Sequence, residues 1–402
     1  MPMYAYEAFD RTGFPVNGKM EAEHEQGAVG RLRKRGYTVV EVAEVKQSLF
    51  KRAFGGQRKI KIGEITFFSR QLAAMISAGI PLTRCLFTLH EQTTNPKLRD
   101  IVGEIARNVE GGMSLSESLR AYQDVFSPMF VDMIRAGEVG GAMEEMLKRL
   151  SEQLERDKIL RDNIRAATFY PTVVIFFAGF VVLAMLLFVV PIFVGFFPPG
   201  TPLPLPTKIV LALSNSLRFY WYIHISLLMA AVLGLRYYMA GSAGKKAWDK
   251  LKFRLPVFGD LFKKAAVASF SRTLSTLLAG GIPVLQALET AGPATGSMQI
   301  TEAVRQTGVG LQEGRGIAVL LQKGGFFPPM LVNMVAIGEE TGELAALLGK
   351  VAGFYEEEVA TTTKGLTSLL EPVLLIVVGC VIGGMVISIY LPIFTAVTSV
   401  GR

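Results

Sequence analysis

The sequence predicts a mainly α-helical membrane protein with two homologous cytoplasmic six-helix bundles, three transmembrane helices and a small N-terminal α+β module. Three observations carry that expectation. Half of the 402 residues are hydrophobic and the mean hydropathy is positive, which a chain folding in water rarely shows. Three long apolar runs are flanked by lysine and arginine. The chain also repeats itself: "FSRQLAAMISAGIPL" at Phe68–Leu82 returns as "FSRTLSTLLAGGIPV" at Phe270–Val284, 202 residues further on. A structural unit has been used twice.

Residues 1–46 read as a ββαβ-like module. "MYAYEAFD", a turn at "RTGFPVNG" and "KMEAE" predict a hairpin, followed by a helix over Gly27–Arg35 and a strand in "YTVVEVAEV". The polar start has no apolar run of the signal-peptide kind, so no cleavable signal is expected. Residues 47–62 have the glycine and basic content of a linker, or of a short helix lying on a membrane surface.

The first bundle is expected over 63–168. Phe68, Leu72, Met75 and Ile76 share one helical face, Gly79 closes that helix, and Pro81 opens the next in its first turn. Asn95 and Pro96 start a helix carrying Leu98, Ile101, Val102 and Ile105, which Gly111 and Gly112 end. Ser114 and Glu117 form an S-x-x-E capping box. Ser127 and Pro128 start a helix that Gly137 is expected to stop. A long helix with Met143, Met146, Leu147, Leu150 and Leu154 then runs toward the first span.

About 20 apolar residues, at ~1.5 Å each, cross ~30 Å of hydrocarbon. The first span, 171–197, lies in a stretch without charge between Arg165 and Lys208, and a proline-rich periplasmic loop, 198–218, follows. The second span, 219–239, has tyrosines at both ends and Arg236 placed to snorkel; a hydrophobic hairpin or core helix is the alternative. The third, 372–398, follows Glu371. Basic residues cluster before the first span and after the second, which puts both sides of that pair in the cytoplasm and the C-terminus outside.

The second bundle, 256–370, is the repeat. "FSPMFVDMIRAGEVGGAM" at Phe126–Met143 aligns with "FPPMLVNMVAIGEETGEL" at Phe327–Leu344, and Gly281 and Pro283 match Gly79 and Pro81. Pro171 and Pro191 bracket the first span as Pro372 and Pro392 bracket the third. The second span has no counterpart in the repeat. Its role is to carry the chain back so that both bundles lie on one side.

Chemistry is sparse. Cys85 and Cys380, and His24, His90 and His224, lack the spacing of a metal site or disulfide framework. "GSAGKK" at Gly241–Lys246 is not a phosphate-binding loop, because Met239 stands where its first glycine belongs and Lys246 where Ser or Thr does; it reads as a basic turn after the span. No catalytic, cofactor or metal site is expected. The net charge of +8 lies beside the apolar runs, which fits a membrane surface and not nucleic acid.

The most distinctive polar feature is a Gly-Glu turn that occurs twice: Gly137, Glu138 and Gly141, then Gly338, Glu339 and Gly342. The expected role is structural, with glutamate complementing the dipole of the following helix and glycine taking positive φ at the preceding C-cap. A partner contact, or a cation held by the acidic loops, is the alternative. Gly379, Gly383 and Gly384 offer a small-residue face in the third span.

With the repeat, the "GIP" and "GE-x-x-G" turns and the "YP" and "EP" starts of spans one and three in place, the sequence resembles the inner-membrane platform family shared by type IV pilus assembly and type II secretion, with "FVVPIF" and "YLPIF" closer to the pilus branch. The resemblance covers nearly the whole chain. It implies a non-enzymatic scaffold of the bacterial inner membrane whose bundles dock on a cytoplasmic hexameric ATPase and whose spans contact pilins or pseudopilins, with lipid, other inner-membrane assembly proteins and further copies of itself as partners. The alternative from another class is a membrane-tethered signalling or transport component with tandem cytoplasmic helical domains.

Overall fold

The computed structural model describes residues 3–9, 15–21, 30, 38–44, 59–194, 203–256 and 258–400. The N-terminal residues form one compact unit and the helical remainder another. In the first, β1 (Met3–Phe9) is the middle strand of a three-stranded antiparallel sheet, with β2 (Pro15–Glu21) on one side and β3 (Thr38–Glu44) on the other. β2 begins four residues before the expected "KMEAE". Pro15 takes its first position on an edge strand, where a missing N–H costs nothing. Of the expected helix over Gly27–Arg35 only Gly30 is among the described residues, and it is helical; 47–58 of the expected linker also lie outside them.

Each repeat is a six-helix unit. The first comprises α1 (Ile62–Ser77), α2 (Leu82–Gln92), α3 (Pro96–Glu110), α4 (Leu115–Arg120), α5 (Pro128–Gly140) and α6 (Met143–Ala184). A π turn over Met185–Val189 and a short α7 (Val190–Val194) continue α6. The second comprises α11 (Phe258–Ala279), α12 (Val284–Ala294), α13 (Met298–Gln312), α14 (Ile317–Lys323), α15 (Pro329–Thr341) and α16 (Leu344–Val400). Between them stand α8 (Leu205–Phe219), α9 (Trp221–Ala240) and α10 (Ser242–Arg254).

The repeats reuse the same contacts. Phe68 meets Phe126 at 5.7 Å between ring centroids, and their counterparts Phe270 and Phe327 meet at 4.8 Å. Arg70 pairs with Glu155 at 3.8 Å, and Arg272 with Glu356 at 2.8 Å. The apolar faces of both units join in one continuous core, from Leu72, Leu86 and Ile105 in the first to Phe270, Leu288 and Leu331 in the second.

Among the described residues three helices are long and apolar enough to cross a membrane, within Met143–Phe193, Trp221–Ala240 and Leu344–Pro392. The first and third are not separate elements placed after their bundles: α6 passes through Pro171, and α16 through Pro372 and Pro392, without a break in the helix. The expected boundary prolines therefore lie inside helices. The segment expected as a loop over 198–218 contains α8, whose first turn holds Pro206 where its missing N–H is harmless. The basic turn expected after the second span is the start of helix α10.

Candidate functional site

The Gly-Glu turns sit where three helices of each repeat meet, and each residue has a separate task. Helix α5 does not stop at Gly137 as the sequence suggested; it runs to Gly140, and Gly141 is the left-handed cap at φ 66°. Gly137 instead faces the next helix. A Cβ there would lie 3.1 Å from the Met143 Cα, and one on Gly338 would lie 2.8 Å from the Leu344 Cα. The glycines let α5 and α6, or α15 and α16, cross at backbone distance. Gly342 repeats the left-handed cap at φ 78°.

Glu138 also departs from expectation. It belongs to the last turn of α5 and reaches back to the short helix α4, not forward to α6. Its carboxylate accepts the N–H of Leu115 at 2.5 Å, the N–H of Ser116 at 3.2 Å and the Ser116 hydroxyl. Glu339 does the same for α14, accepting the N–H groups of Ile317 at 2.5 Å and Ala318 at 2.9 Å. A helix start leaves N–H groups without intrahelical partners, and a carboxylate is the strongest side-chain acceptor for them. Both glutamates, the acidic residues weighed as cation ligands, are thus engaged by backbone. Among the described residues no cluster of three or more His, Cys, Asp or Glu is placed to hold a metal.

Gly79 and Gly281 take positive φ, 78° and 74°, one residue beyond the C-cap position of α1 and α11. Pro81 and Pro283 are N-caps with extended ψ, 138° and 141°, one position before the first turn expected for them.

The second locus is the seam between repeats, built by α5 and α6 of the first against α11, α12 and α16 of the second. Gln153 on α6 is 1% exposed. Its Oε1 accepts the Thr276 hydroxyl at 2.8 Å, and its Nε2 donates to Asp157 at 3.1 Å and to Thr273 at 3.5 Å. Asp132 accepts from Thr290 at 2.8 Å and Gln286 at 3.2 Å. Glu356 takes a two-pronged bond from Arg272, at 2.8 and 2.9 Å, and a third contact from Arg156 across the seam at 3.3 Å. A Cβ on Gly280 would lie 3.1 Å from the Met146 sulfur and 3.2 Å from that of Met133, whereas the matching residue of the first repeat is Ala78.

This duplicated architecture is matched by known proteins. The family described as "Type II secretion system (T2SS), protein F" matches residues 68–191 and again 270–392, and its N-terminal domain matches 1–43. The chain is 39% identical over 398 residues to the type IV pilus assembly protein PilC of Thermus thermophilus, covering 98% of each. It is 34% identical to PilC of Myxococcus xanthus, over 98% of this chain and 94% of the relative. Identity is 30% to type II secretion system protein F of Xanthomonas campestris, over the whole of both chains. The chain belongs to this platform family.

Within the family the higher identities fall on the pilus side. The platform's seam also carries an unusual carboxyl. Burial pushes Asp157 up to about 6, with Arg161 and the Gln153 hydrogen bond opposing the shift and the Glu356 charge adding to it. The seam was not legible as an interface in one copy of the repeat. Its signal lay in the differences between copies: Gln153 is replaced by Phe354 and Ala78 by Gly280 where the two units have different neighbours.

Proposed function

We propose that this platform couples a cytoplasmic hexameric ATPase to the extraction and assembly of pilin or pseudopilin subunits, with no nucleotide chemistry of its own. The observation that carries this reading is the continuity of α6 and α16 from the bundles into the spans, 42 residues before the π turn in one and 57 in the other. A helix transmits displacement along its length with little loss, and two such helices leave one shared core. The bundles, held to each other by the seam, lie in the cytoplasm; α9 returns the chain, and the C-terminus lies in the periplasm. Docking surfaces for the ATPase belong to the bundles, and the spans face pilin helices, lipid and neighbouring copies.

The test is reconstitution. Full-length protein in nanodiscs should show no ATP turnover alone and should raise the turnover of a purified type IV pilus assembly ATPase from the same organism. Turnover by the platform preparation itself, or an ATPase rate and sedimentation unaffected by the platform at low salt, would overturn the reading.

A further inference from the structure

Helix α8 meets both repeated spans at one place, and two hydroxyls mark it. Thr207 Oγ1 donates to the carbonyl of Ser388 at 2.5 Å, and Ser214 Oγ donates to the carbonyl of Leu186 at 2.5 Å. The two residues are 4% and 1% exposed. Seven positions apart, they lie two turns from each other on one face of α8.

The carbonyls they reach share a defect. Ser388 stands four residues before Pro392, whose nitrogen carries no hydrogen, so the α-helical bond its carbonyl would accept does not exist. In the first repeat the π turn shifts the ladder by one residue, and the Val190 N–H is given to Met185. In that register the donor for the Leu186 carbonyl would be Pro191, which again has none. The two prolines occupy the same place in the repeat, 201 residues apart. Each opens one carbonyl, and α8 brings one hydroxyl to each.

Packing holds the arrangement together. Leu186 and Val190 from the first span and Met385 and Ile389 from the third are buried as one cluster, with Val210, Leu211 and Leu217 of α8 against it. Phe193 meets Tyr390 at 5.7 Å between centroids. The Ser388 hydroxyl is turned away, to the Gly384 carbonyl at 2.7 Å, and does not compete. By contrast α9 has no buried residue among those described.

We propose that Thr207 and Ser214 are positioning residues that lock the far ends of the first and third spans to each other, through the carbonyls that Pro191 and Pro392 leave open. Hydrocarbon offers no water to such a carbonyl, so a neighbouring hydroxyl is the partner that makes the proline tolerable in a span. The consequence is mechanical. The two spans are fixed at the bundles by the seam and at the opposite end by α8, so they move as a pair. This goes beyond the ATPase reading and does not depend on it.

The test uses a substitution cycle in the full-length protein in nanodiscs, read by thermal unfolding. Thr207→Val should lower the melting temperature in the natural background. In a Pro392→Ala background, where residue 392 regains an N–H for the Ser388 carbonyl, the same substitution should lower it by less than half as much. Ser214→Ala should behave likewise with Pro191→Ala, and Thr207→Ser should match the natural chain. If Thr207→Val fails to insert or fold, recovery of folded protein on adding Pro392→Ala supports the clamp and no recovery overturns it. Equal losses with and without the prolines, or no loss with them present, also overturn it.

Discussion

Glu138 and Glu339 show how a residue can be prominent in sequence for a reason that sequence does not reveal. Each carboxylate bonds two successive backbone N–H groups of a helix lying 21 to 23 positions earlier in the chain, a separation at which no local motif operates. Removing the acceptor leaves partly buried donors unsatisfied, at about 1–3 kcal/mol. Glu138→Ala and Glu339→Ala should each lower the melting temperature of the full-length protein. Glu138→Ala should cost the more, because Ser116 loses a hydroxyl contact as well as an N–H bond. A variant that melts as the natural chain does would contradict the capping role.

At the scale of elements, the close crossings of α5 with α6 and of α15 with α16 rest on Gly137 and Gly338, while Gly140 has open space around its Cα. Alanine in a helix gains roughly 0.5–1 kcal/mol over glycine, and overpacking costs roughly 1–3 kcal/mol. Gly338→Ala should therefore destabilise and Gly140→Ala should stabilise slightly, a difference in sign that a pair of melting curves can read. The six helices per repeat were legible because proline starts, glycine ends and apolar faces recur in both copies. Helix α8 was not, since Pro202, Pro204 and Pro206 read as loop and its buried face mixes Thr207 and Ser214 with Val210 and Leu217. Apolar periodicity gives no weight to a hydroxyl that serves another helix. The prolines inside α6 and α16 misled in the opposite direction: a proline predicts a boundary, yet a helix built into a span keeps its course through one.

For the whole molecule, duplication set the architecture and divergence joined it. The Arg70–Glu155 pair is exposed, with side chains 72% and 52% accessible, whereas its counterpart Arg272–Glu356 is 16% and 19% accessible and has recruited Arg156 from the other repeat. Exposed pairs contribute little and shielded, two-pronged ones more, so the second copy of this pair helps fasten the seam. A seam of this kind requires both bundles on the same face of the membrane. In a chain whose Cys85 and Cys380 are replaced by serine, single cysteines at the exposed positions Gln123 and Gln322 and at Thr201, between the first span and α8, can be probed in intact spheroplasts with a membrane-impermeant maleimide. The account predicts labelling at residue 201 alone, with 123 and 322 reacting only after lysis. Labelling at 322 in intact spheroplasts while 123 stays protected would place the bundles on opposite faces and contradict it.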